Sequence, residues 1–137
     1  MATLPSGLPE HIDDGEELAR FLTSSSQFKG LTVKHSAFLP NPKDGKKSVF
    51  RHGSEPIESL RQMRREQLDG VASVHGAAIC RARHVRGAQL EVVAEEPPPR
   101  HADIVGWPWN ADDPEMGRGE RKVRAMLIAQ HAEFVPL

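Results

Sequence analysis

Three consecutive prolines, Pro97, Pro98 and Pro99, followed closely by both tryptophans of the chain, Trp107 and Trp109, constrain most strongly what this sequence can fold into. Each ring fixes φ and removes a backbone donor, so the segment cannot lie inside a helix or a central strand. It predicts an extended, polyproline-type spacer that delivers Arg100-His101-Ala102-Asp103 and the apolar pair Ile104-Val105 to one place. Gly106 permits a sharp turn, and Pro108 holds the two indoles apart. Tryptophans bury large areas, which makes Trp107 or Trp109 a lid over a sheet. Two rigid aromatic faces beside Arg100 and His101 also have the form of a platform that stacks a base or holds a proline-rich peptide.

The 137 residues suit one domain, expected over residues 12–137 behind a flexible tail at 1–11 that carries Pro5, Gly7 and Pro9. Eleven glycines and eleven prolines imply long connections between few elements. One cysteine, Cys80, excludes an internal disulfide framework and a multi-cysteine zinc site. Beside Ala78 and Ile79 it reads as a small buried hydrophobe, although on a helix it would share a face with His84 as nucleophile and base, or as half a metal site. No apolar run is long enough to span a bilayer and no basic-then-apolar leader opens the chain, which predicts a cytoplasmic protein that does not enter the membrane.

Periodicity predicts an α+β fold, a small, mostly antiparallel sheet of three to four strands with helices packed on one face. Asp13 or Asp14 caps a short helix carrying Leu18, Phe21 and Leu22. The alternation Leu31, Val33, His35, Ala37, Leu39 predicts a strand, and 48–52 a second strand paired with it in a hairpin. Ser54 caps a helix reaching about Leu68, and residues 71–78 read as irregular. Residues 77–86 are expected to be helical up to Gly87, 89–94 a strand and 103–106 a further one. A last helix spans about 119–133, with Val123, Met126, Leu127 and Ala129 inward.

Charge is uneven: residues 43–86 hold ten Lys/Arg against five Asp/Glu, whereas both flanking regions are acidic. Arg61, Arg64 and Arg65 with Arg81, Arg83 and Arg86 would form a basic face toward an anionic partner, nucleic acid or an acidic protein surface. The same charges also serve to neutralise the acidic ends within the fold. With Trp107 and Trp109 they are the expected binding residues, and the leading expectation is a binding or accessory domain.

Seven histidines raise the alternative of a small enzyme. There is no His-Glu-x-x-His, no phosphate-binding glycine loop and no Gly-x-Ser-x-Gly, so no metal or cofactor is expected and the familiar ATP, GTP and NAD enzymes are disfavoured. The candidates for metal-independent attack on a phosphate ester or nucleic acid are His35, Ser36, Arg51, His52, Arg100 and His101. Arginine binds phosphate bidentately and a pair of histidines exchanges the proton. Such an enzyme requires at least two of His35, His52 and His101 in one cleft.

Overall fold

The run Glu17-Leu18-Ala19-Arg20-Phe21-Leu22 decides the architecture, because it buries apolar side chains at odd and even positions alike. A strand with that pattern must be covered on both faces. The computed structural model describes residues 3–68, 70 and 73–137, and this run is its first strand, β1 (Glu17–Leu22). In chain order there follow the two-residue strands β2 (Phe28–Lys29) and β3 (Thr32–Val33), then β4 (Lys47–Arg51), α1 (Ile57–Gln67) and β5 (Gly76–Arg81). The chain continues with α2 (Ala82–Gly87), β6 (Glu91–Ala94), β7 (His101–Val105), α3 (Arg118–Ala129) and β8 (Glu133–Pro136).

β6, β7, β4, β1, β5 and β8 form one antiparallel sheet in that order, and β2 pairs with β3 in a separate ribbon. On one face Leu18, Leu22, Val49, Cys80, Ala102 and Ile104 pack against Phe38, Val85 of α2, Trp107, and Ala125 and Ile128 of α3. On the other, Ala19, Phe21, Phe50 and Ala77 meet Leu60 and Met63 of α1. The α+β class with an antiparallel sheet therefore holds, but the sheet has six strands rather than three or four. Helices cover both of its faces rather than one.

Several local expectations are corrected. The helix expected over Leu18 to Leu22 is β1, whose apolar spacing satisfies either period until a partner on each side selects the strand. The strand expected over 31–39 shrinks to β3 and a 3-10 turn at His35–Ala37, with Leu31 exposed and the neighbours Ala37 and Phe38 both buried. β4 forms, but pairs with β1 and β7 and not with that segment. The helix expected over 77–86 divides into β5 and α2. Gly76 is small because neighbours close on it: a Cβ there would lie 2.5 Å from the Val135 carbonyl oxygen. The irregular stretch at 71–78 falls partly on residues outside those described, and its described end is β5.

The final helix ends at Ala129 and returns as β8. Ala125, Ile128 and Ala129 face inward, while Val123, Met126 and Leu127 are exposed. Residues 95–100 are no straight spacer: they close the β6–β7 hairpin, with the His101 N–H donating to the Pro98 carbonyl and the Glu95 N–H to the His101 carbonyl. Trp107 is buried, its Nε1–H donating to the Ile104 carbonyl at 3.1 Å, while Trp109 is partly exposed and lies on Gly45. Residues 3–11 form a turn held by Ser6 on Glu96 and by the Pro9 carbonyl on Arg51. No helix among the described residues is long and apolar enough to cross a membrane.

Candidate functional site

β1 and β4 pair at only two positions, Leu18 with Arg51 and Ala19 with Phe50. Beyond them Arg20 takes the place of a ladder bond, its Nη1 donating to the Ser48 carbonyl at 3.2 Å. Its Nε is buried without any hydrogen-bond partner, and among the described residues no carboxylate lies within ion-pair distance of its guanidinium. Burial lowers the pKa of Arg20. Lys47 lies beside it and is pushed down to about 7, first by burial and then by the Arg20 charge. Asp44 and Asp103 border the same polar recess without coming within ion-pair distance of either cation. Two desolvated cations side by side are costly unless a counter-charge occupies the space between them.

Ser48 and His101 stand on one face of neighbouring strands. Phe50 is paired with His101 and Ser48 with Asp103, which makes Ser48 and His101 diagonal neighbours. Their side chains meet at 2.6 Å, Oγ to Nε2. His101 Nδ1 lies 2.8 Å from the Glu95 carbonyl oxygen, which only accepts, so in the neutral ring Nδ1 carries the proton. Nε2 is then the acceptor and the Ser48 hydroxyl the donor. The ring stands edge-on to Phe50, and Asp103 Oδ1 lies 3.7 Å from Nε2. Burial raises the pKa of Asp103, partly offset by His101 and Lys46.

A cavity of about 260 Å³ opens over this pair. Arg20, Thr23, Gln67, Ser48 and His101 supply its polar groups, and Phe21, Phe50, Leu68 and Pro98 its apolar wall. A small apolar recess with a few convergent polar groups, one of them an orphan cation, is the usual form of a small-molecule site. A serine hydroxyl donating to an oriented imidazole is the arrangement of an activated nucleophile and its base.

The sequence candidates are dispersed. Arg51 is fully buried and serves the fold, since Nε and Nη2 both bond Glu16 and Nη1 the Pro9 carbonyl. Arg100 bonds the carbonyls of Arg51 and His52 and pairs with Glu55. His52 is buried with Nδ1 unpartnered, and burial lowers its pKa. Ser36 bonds the Ser26 carbonyl and does not line the Ser48 cavity, and His35 lines a separate cavity of about 580 Å³ with Trp109, Arg118 and Lys122. Thus, of the six, His101 lines the Ser48 cleft and neither His35 nor His52 does.

The arginines of the expected basic face also separate. Arg61, Arg64 and Arg65 lie on α1, Arg83 and Arg86 on α2 across the sheet, and Arg81 at the end of β5. Arg61 and Arg65 pair with Glu58, and Arg86 with Asp14 and Glu91. Cys80 is buried on the α2 face with its thiol pushed up to about 12, so it is not a poised nucleophile. His84 instead stacks on His131 at 4.3 Å. The sequence reading passed over Ser48, Arg20 and Lys47. The available signal was Arg20 itself, a lone charge inside an apolar run. The chain matches no family model, no curated protein and no solved structure.

Proposed function

We propose that this chain binds a small molecule through an anionic group, a phosphate or a carboxylate, seated between Arg20 and Lys47 and beside Ser48. The observation that carries the reading is the orphaned, buried Nε of Arg20 next to a second desolvated cation. An anion there would supply the counter-charge that Arg20 lacks, and its charge would return Lys47 to the protonated form. The anionic partner is thus a small ligand in a recess. An extended nucleic acid or acidic protein on the arginines of α1 and α2 is less favoured, because those arginines divide between the two faces of the sheet and several already have carboxylates.

Titration calorimetry with inorganic phosphate and with acetate tests the reading and separates the two anions. At pH about 8 the tighter anion should bind with proton uptake, seen as a heat that changes with the ionisation enthalpy of the buffer. Affinity should weaken as pH rises from 7 to 9, because more free protein then carries neutral Lys47. Arg20→Met should abolish binding and leave the fold intact. Failure of both anions to bind at millimolar concentration, or equal binding by Arg20→Met, would rule the site out.

A further inference from the structure

We propose that Ser48 is a nucleophile that accepts the phosphoryl group of a small phosphate monoester, with His101 as its base. The inference rests on the reading of Arg20 and Lys47 as an anion site and names the ligand of that site as a reacting group. The Ser48 hydroxyl lies 2.6 Å from His101 Nε2, and the Glu95 carbonyl, 2.8 Å from Nδ1, holds the ring in the tautomer that accepts a proton. Ser48 and His101 line the cavity that Arg20 also lines, and Arg20 and Ser48 border the Lys47 recess as well, so Arg20 joins the two and a phosphate on its side of the cavity is presented to Ser48.

In the first step Ser48 Oγ bonds to phosphorus as its proton passes to His101 Nε2, and the bond from phosphorus to the ester oxygen breaks. That oxygen takes the electron pair and receives the proton from Nε2, leaving as the alcohol. In the second step a water entering the cavity gives its proton to Nε2 and attacks the phosphoserine. Ser48 Oγ leaves with its electron pair and regains the proton from Nε2, releasing inorganic phosphate. Neither step requires an oxidant or a group other than water. Charge building on the phosphoryl oxygens falls on Arg20, already dehydrated and needing no reorganisation. The transient imidazolium is stabilised by Asp103, whose Oδ1 is 3.7 Å from Nε2. Phe21, Phe50, Leu68 and Pro98 form the wall against which a compact apolar leaving group would rest.

The intact chain is incubated with p-nitrophenyl phosphate, quenched in acid, and its peptides mapped by mass. The expected result is release of nitrophenolate with a phosphoryl group on Ser48. Ser48→Ala should lose both while still binding inorganic phosphate, and His101→Gln should slow release by about 10²-fold or more. Wild-type protein that releases no nitrophenolate, or release that survives Ser48→Ala, overturns the proposal. If inorganic phosphate still binds in that case, only the nucleophile is lost. If phosphate does not bind the wild type, the anion site falls with it. Mapping on the wild type decides the point without relying on the stability of either variant.

Discussion

Arg20 and Arg51 both belong to the sheet, yet only Arg51 has a carboxylate. Arg51 is fully buried and forked on Glu16, so removing the acid leaves a desolvated charge with carbonyls but no counter-charge. Glu16→Ala should therefore cost about 3 to 5 kcal/mol in urea unfolding, as does breaking other buried pairs from one side. Arg20→Met should behave in the opposite way in the absence of ligand, with the melting temperature unchanged or higher by the equivalent of about 1 kcal/mol. A large loss of stability in Arg20→Met would mean that its bond to the Ser48 carbonyl matters more than its unpaired charge. The sequence does not reveal the partner of Arg51, because Glu16 and Arg51 are brought together only when β1 and β4 pair.

The amphipathic helices were legible because one side of each is wet, whereas β1 and β5, dry on both faces, were not. α1 and α3 combine helical spacing with a polar side, and β4, β6 and β7 lie close to their expected places. β1 and β5 are central strands covered on both faces, and their runs suit a helix equally well in isolation. β8 was missed because its register is set by β5 rather than by its own pattern. Gly76 pairs with Pro136 at the end of this ladder, and an added Cβ would meet the Val135 carbonyl and the Phe134 ring. Gly76→Ala should destabilise by about 1 to 3 kcal/mol and loosen β8, seen as faster amide exchange over 133–136. Unchanged exchange there would show that β8 yields without strain.

For the whole molecule, pH dependence follows from groups whose titration folding displaces. Lys47 binds its proton near pH 7 when folded against 10.5 when unfolded, so between those values the unfolded chain holds the extra proton and stability rises with pH. Cys80 acts in reverse: its thiol moves from 9.0 to about 12, so above pH 9 the folded chain holds the extra proton and stability falls. The melting temperature should climb from pH 7 to 9, level off to about 10.5 where the two slopes oppose, and then decline. Lys47→Met should remove the climb and keep the later fall. A melting temperature that falls steadily from pH 7 in the wild type would show that Lys47 is not desolvated.

What the sequence by itself determined is local or compositional: the α+β class, the amphipathic helices, the proline break at 97–99 and the burial of one tryptophan. These depend on periodicity, ring constraints and apolar area, all carried by neighbouring residues. Tertiary structure alone decided the order of six strands, the covering of both faces and the site. Ser48 and His101 are 53 residues apart and meet because β4 and β7 pair in one particular register. Shifting that pairing by one residue would send the two side chains to opposite faces of the sheet, and nothing within either segment specifies it.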